Sequence, residues 1–199
     1  MTTKKVLTFF IFIAIYLTSI GKAYSIEPDI FVQSTVNRAA KTLGGNLTKE
    51  QRIEELKKIA KETVDIRGIG YYSLGSHRKV ISDEKKKEYE IVFEQYFLKS
   101  FSSRLAEYSN PEIEVNSKEK INENYTIVSS TLVATDKRPS VKIEWRIYTK
   151  DPENPVVRDL VIEGLSLART QKEEFNSIIE TADGDINALL KNLKDFANK

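Results

Sequence analysis

The feature that most constrains this chain is a change of hydrophobic period at Asn110-Pro111. Before it, from Ser82 to about Tyr108, Tyr89, Val92, Phe93, Tyr96, Phe97, Ser100, Phe101, Leu105 and Tyr108 recur at the three-four spacing of one buried helical stripe. After it the period drops to two. Glu112 to Val115, Tyr125 to Ala134, Val141 to Tyr148 and Val156 to Ile162 read as strands. The third is the clearest, with Val141, Ile143, Trp145 and Ile147 on one face and Lys142, Glu144, Arg146 and Tyr148 on the other. Such alternation belongs to an antiparallel sheet with one wet face and one covered face. Helices gathered on the covered face make an α+β domain, with an antiparallel or mixed sheet of about four strands.

The remaining elements fit that plan. Pro28 to Leu43 reads as a helix ended by Gly44-Gly45, and Thr48-Lys-Glu-Gln51 has the form of a capping box that opens a second helix. Asp65 to Leu74 reads as a short helix or turn, and Ser82 as the cap of the long helix. Asp136 to Pro139 and Asp151 to Pro155 supply turns between strands. Thr170 to Thr181 and Ile186 to Phe196 close the chain as two helices separated by Asp183-Gly184.

Residues 1–25 read as a secretory signal peptide. Lys4 and Lys5 precede the apolar run Val6 to Ile20, and Ala23 and Ser25 hold the −3 and −1 places of a cleavage site. The run is shorter than the roughly 20 residues of a membrane span. The remainder, residues 26–199, forms one domain. Without its leader the chain loses three lysines and no acid, so the net charge moves from +2 to −1 and a nucleic-acid partner loses its electrostatic support. There is no cysteine, so no disulfide or thiolate is available. A secreted, disulfide-free domain fits a bacterial periplasm. Asn46-Leu-Thr48 and Asn124-Tyr-Thr126 are sequons without meaning there.

Chemistry-bearing motifs are scarce. His77 is the sole histidine, which excludes a multi-histidine metal site. Ser166 lacks the Gly-x-Ser-x-Gly elbow, so a triad with His77 has only its residue types in favour, and a serine at such a corner usually bonds to backbone. Glu163 with Asp159 could form an acid-base pair, against the simpler reading of a strand-end acid. Lys85-Lys86-Lys87 reads as a solvated face, and no phosphate loop or dinucleotide turn appears. What stands out is apolar. The aromatic stripe can face the Val141, Ile143, Trp145 and Ile147 surface, either as a filled core or as the lining of a cavity for an elongated apolar ligand. Periodicity leaves both open.

Two stretches carry a resemblance. "IRGIGYYSLGSHRKVISDEKKKEYEIVFEQYFLKSFSSRLAEY" (Ile66 to Tyr108) resembles the MlaC family of periplasmic phospholipid-binding, toluene-tolerance proteins. The shared pattern is an aromatic-x-Leu-Gly turn with a nearby Arg, then a long helix with a Phe-x-x-x-Phe-like repeat, here Phe93 and Phe97. "VIEGLSLARTQKEEFNSII" (Val161 to Ile179) is similar to that family's Glu-Gly-hydrophobic-Ser-hydrophobic corner and following helix, and the closing "GDINALLKNL" also fits. The likeness runs in order through nearly all of residues 26–199. Two places depart: the usual Trp after Leu-Gly is replaced in Gly75-Ser76-His77-Arg78, and the usual Gly-x-Trp turn is Glu153-Asn154-Pro155.

The resemblance implies an enclosed apolar lipid cavity and a carrier, not an enzyme, that needs no cofactor or metal. Its implied partners are phospholipid, an inner-membrane MCE-domain ABC transporter and an outer-membrane lipoprotein-porin complex. At ~0.8 kcal/mol per methylene, a chain of about sixteen carbons holds roughly 12 kcal/mol of aversion to water, so the tails must be enclosed while the head stays wet. Tail-contacting positions expected on this basis are Tyr72, Val92, Phe93, Tyr96, Phe97, Ile143, Trp145, Ile147, Val161, Leu165 and Leu167, with Arg78 at the head group. Glu163 to Leu167 becomes a structural corner, with Leu165 and Leu167 facing inward and Ser166 satisfying backbone at the bend. A hopanoid cargo of the same family and a secreted serine hydrolase are the rival readings.

Overall fold

Local chemistry starts most of the helices. Thr48 Oγ1 accepts from Gln51 N while Gln51 Oε1 accepts from Thr48 N (2.9 Å), the capping box expected of that stretch. Ser82 caps the long helix through Lys85 N (3.2 Å), and Asp65 caps a short one through Gly68 N (2.8 Å). The computed structural model describes residues 25–108 and 111–199. The predicted leader (apart from Ser25) and Asn110 lie outside the described residues.

Among the described residues the order is α1 (Pro28–Gly44), α2 (Lys49–Thr63), α3 (Ile66–Ser73), α4 (Asp83–Leu105), β1 (Ile113–Asn122), β2 (Tyr125–Leu132), β3 (Val141–Tyr148), β4 (Val156–Ile162), β5 (Leu165–Ser166), α5 (Leu167–Thr181) and α6 (Ile186–Asn198). A 3₁₀ turn at His77–Lys79 precedes α4. The fold is α+β, with five strands in the order β1-β2-β3-β4-β5, each antiparallel to its neighbour. Three strands depart from expectation: β1 runs on past Val115, β2 stops at Leu132 short of Ala134, and β5 is added. β1 continues to Asn122 because pairing with β2 carries its polar half, Lys118 opposite Val128 and Lys120 opposite Thr126. β5 is two residues long, too short to show a period.

Register sorts the side chains. Thr126, Val128, Ser130 and Leu132 of β2 pair with Ile147, Trp145, Ile143 and Val141 of β3, so these eight share one face, here the inner one. On β4 the pairing runs Ile147 with Val157 and then, after a bulge, Trp145 with Leu160 and Ile143 with Ile162. The outer face carries Lys142, Glu144, Arg146 and Tyr148. The free edge of β4 is closed by β5 over one half, and over the other by a parallel bridge from Val64 and the bond Asp65 N to Val157 O (3.0 Å).

The interior divides into two main clusters. Val32 and Val36 of α1 lie with Val128, Ile147 and Val157 on the inner sheet face, with Trp145 and Leu160 packed at the margin. The second cluster is helical: Tyr89, Val92, Phe93 and Leu98 of α4 meet Ile66, Ile69 and Leu74 from the α3 segment, Phe175 and Ile179 of α5, and Leu189, Leu190 and Leu193 of α6. The aromatic stripe therefore packs on α3, α5 and α6, and the sheet face expected opposite it is covered by α1. Val64 touches both clusters.

Ion pairs fasten the layers. Lys118 Nζ on β1 donates to Asp29 Oδ1 (2.8 Å) and to Glu27 at the start of α1, and holds the Asp29 carboxyl below its ordinary range. A carboxylate that binds its proton less readily when folded adds stability above its unfolded pKa, and that stability is lost as the pH falls through the folded value. An acid limb below about pH 4 is expected in a plot of melting temperature against pH, slightly flattened by Lys118→Met because the pair is exposed. An identical limb in the variant would mean the pair does not contribute.

Candidate functional site

The inner sheet face is apolar except for Thr126 and Ser130, and its largest member is Trp145. Ser130 is 2 % exposed. Its hydroxyl accepts from Trp145 Nε1 (2.8 Å) and lies 3.4 Å from the Ile143 carbonyl oxygen as a donor. Trp145, Leu160 and Ile162 are half-buried on this face, while Ile143 and Ile147 are buried. On the helical side Tyr96, Phe97 and Phe101 are also half-buried, with Phe97 and Phe101 stacked at 5.7 Å and 9°. Tyr96 donates its hydroxyl to Gln171 Oε1 (3.0 Å), and burial pushes its pKa up.

The predicted tail-contacting residues fall into groups. Ile143, Trp145 and Ile147 share the inner sheet face, and Tyr96 and Phe97 lie at the margin of the helical cluster. Val92 and Phe93 are buried within that cluster. Phe93 touches Tyr89, Tyr96, Phe97 and Phe175 rings at 5.5–6.2 Å. Tyr72 is 43 % exposed on α3, beneath the Lys172 ammonium at 5.5 Å from its ring centroid. Arg78 is exposed in the 3₁₀ turn and donates Nη1–H to the Tyr71 carbonyl (3.3 Å).

Three expectations are corrected by the geometry. Val161 pairs with Glu144 and Ser166, so it lies on the face opposite Ile143, and it is buried there. Strict alternation from Val157 would place it inward, but the bulge at Arg158 inserts one residue and reverses every later side chain. Leu165 and Leu167 do not face inward: they are 59 % and 42 % exposed. Leu165 lies on the two-residue edge strand, and Leu167 opens α5 on its solvent side.

The corner itself is a hairpin. Ile162 pairs with Leu165 across Glu163 and Gly164, whose φ angles are +48° and +82°, the paired positive values of a tight primed turn. Glu163 N donates to Lys142 O (3.1 Å), and its carboxylate accepts from Lys142 N, which fixes the turn against β3. Ser166 then caps α5, accepting from Arg169 N (3.1 Å) and donating to Asp159 Oδ2 (2.6 Å). Asp159 also accepts from Ala168 N (3.0 Å) and faces Arg146 Nη1 at 3.4 Å. Every polar atom of the serine and aspartate is thus engaged in shaping the corner. Glu163 and Asp159 serve different backbone partners and do not form an acid-base pair.

Gly164 has no heavy atom within 4 Å of where a Cβ would stand, so its requirement is conformational only. Gly164→Val is expected to cost about 1–2 kcal/mol in denaturant unfolding, with Gly164→Asn much milder. Full stability combined with lost function in the valine variant would return attention to chemistry at this corner.

Arg158, absent from the sequence-predicted site, is the residue that ties α3 to the sheet. Its Nε donates to Asp65 Oδ2 (2.7 Å), its Nη1 to Tyr125 Oη (2.9 Å), and its guanidinium lies 3.5 Å from the Tyr148 ring centroid. The bulge that turns Val161 outward gives Arg158 this position. No local pattern signals it beyond an arginine inside an apolar strand.

Three cavities lie around these elements. One of about 600 Å³ runs between α1 and β1 over Val36, Ala40, Ile113 and Val115, with Gln33, Asn37 and Glu112 at its rim. One of about 520 Å³ lies among α2, α4 and the end of α6 beside Lys57, Lys61 and Lys99. One of about 180 Å³ lies between α3 and α4, and of the predicted positions Phe93 alone lines any of the three. Among the described residues, no three His, Cys, Asp or Glu side chains are grouped to hold a metal ion.

Fold and site together define an α+β domain organised around a sheltered apolar sheet face. Residues 32–195 match the model of the MlaC protein family. The chain belongs to that family. Among solved structures, it shares its fold with a phospholipid-binding protein from Ralstonia solanacearum in complex with a phospholipid. The TM-score is 0.72 at 17 % identity, over 87 % of this chain and 98 % of that one. No curated protein matches the sequence.

Proposed function

We propose that this protein is a periplasmic carrier that takes phospholipid by its acyl chains into the apolar space between sheet and helices. It shuttles lipid between the outer and inner membranes and so maintains outer-membrane lipid asymmetry. It exchanges cargo with an outer-membrane lipoprotein-porin complex and serves an inner-membrane MCE-type ABC transporter. The observation that carries this function is the division of the interior. Large apolar side chains remain partly uncovered on both sides: Trp145 and Leu160 on the sheet, Tyr96, Phe97 and Phe101 on α4. An interior built for stability alone would bury these in one cluster, since each fully buried large apolar side chain adds about 1.5–3 kcal/mol. Membership of the MlaC family and the shared fold with a protein solved bound to phospholipid support the same conclusion.

Tail contacts come from Trp145, Ile143 and Ile147 on the sheet and from Tyr96 and Phe97 on the helix, with Val92 and Phe93 as the support behind them. Arg78, exposed and bonded to a carbonyl, offers its positive charge to a head-group phosphate. Tyr72, Leu165 and Leu167 are exposed and are left out of the tail contacts. The test is transfer of a fluorescent phospholipid from donor to acceptor vesicles. The transfer rate is expected to rise in proportion to protein concentration; a rate that does not respond to the protein contradicts a carrier role.

A further inference from the structure

A serine buried in an otherwise apolar sheet face is costly unless its hydroxyl is bonded. Ser130 is such a residue, and its partner is the indole of the only tryptophan in the chain. Trp145 stands directly opposite Val128, whereas Ser130 stands opposite Ile143. The 2.8 Å bond from Nε1 therefore draws the ring diagonally across β2. Among the described residues nothing else accepts that N–H. Without it, the half-buried indole must turn its N–H toward water, and the largest side chain of the inner face is released from β2.

We propose that Ser130 is the specificity-determining residue of the tail site, acting as a positioning residue through Trp145. By holding the indole against β2 it sets how far the ring stands off the sheet, and so how much acyl chain the protein accepts. The inference rests on the acyl-chain function proposed above and adds the device that fixes the width of the site.

The experiment uses the protein purified without detergent and phosphatidylglycerol vesicles brominated at mid-chain. Bound bromine at the sheet face is expected to quench Trp145 emission in the unaltered protein. Ser130→Ala is expected to shift that emission to the red. It should also weaken lipid retention about tenfold, the equivalent of roughly two methylenes returned to water. Trp145→Phe, a smaller ring without an N–H, gives up part of the tail contact and is expected to weaken retention on its own. The double variant is expected to follow Trp145→Phe, since the serine acts only through the indole. Equal retention by Ser130→Ala and the unaltered, lipid-loaded protein overturns the role of Ser130 and leaves the carrier function standing. So does a double variant more impaired than Trp145→Phe alone. If Ser130→Ala does not fold, the quenching measurement decides: a lipid-loaded protein whose tryptophan is not quenched overturns the proposal. Absence of any extractable lipid from the unaltered protein overturns the carrier function and this inference together.

Discussion

Phe93→Ala is expected to lower the unfolding free energy by about 3–5 kcal/mol and the melting temperature by roughly 10 °C or more. Phe93 is 2 % exposed and sits at the crossing of α3, α4 and α5. A Cβ on Gly70 would stand 2.7 Å from its ring, which shows how closely α3 approaches it. Few side chains could collapse into the void, so both the transfer term and the cavity term apply. Phe97→Ala, one turn further along α4, is expected to cost much less because Phe97 is half-buried and stacks on Phe101. If Phe97 rather than Phe93 meets cargo, the two variants separate in opposite senses. Phe93→Ala loses stability yet keeps lipid in the folded fraction, and Phe97→Ala keeps stability yet loses lipid. Denaturant unfolding and lipid extraction on the same preparations check this. Equal destabilisation by both variants would mean that α4 is uniform core.

The second large effect lies at the corner. Asp159→Ala is expected to cost about 2–4 kcal/mol, since it strands Ser166 Oγ and Ala168 N in a site where Asp159 is 8 % exposed. Arg146, on the solvent side, can rehydrate, which keeps the cost below that of a fully buried ion pair. Ser166→Ala removes one cap and is expected to cost about 1 kcal/mol. Thermal unfolding of the two variants measures both. A hydrolase would show the reverse order of importance: ester turnover abolished by Ser166→Ala at nearly full stability. Such a result would replace the structural account of the corner.

Much of this was legible in the sequence where the determinants are local. Thr48 with Gln51, and Ser82 with Lys85, are caps that depend on four consecutive residues, and both formed as read. The alternation in Val141 to Tyr148 gave β3 its bounds and its faces. Failures began where a distant partner decides. The aromatic stripe of α4 announced a buried face but not what covers it, because period fixes direction and not neighbour. Lys118 to Asn122 is strand only through its pairing with β2, and no apolar pattern marks it. The bulge at Arg158 depends on what β3 offers across the ladder, and one inserted residue was enough to send Val161 outward and place Arg158 on Asp65 and Tyr148. Leu165 and Leu167 were read inward as apolar residues around a serine. An edge strand two residues long and the first turn of a helix can leave such residues in water.

The most direct measurement is mass spectrometry of the lipid extracted from protein purified without detergent. The account predicts a phosphate-bearing diacyl lipid in stoichiometric amount, with its tails protected from added phospholipase while bound. A polycyclic triterpenoid in its place would keep the shuttle and change the cargo. An extract with no lipid, from protein that is folded and takes none up from vesicles, would contradict the account.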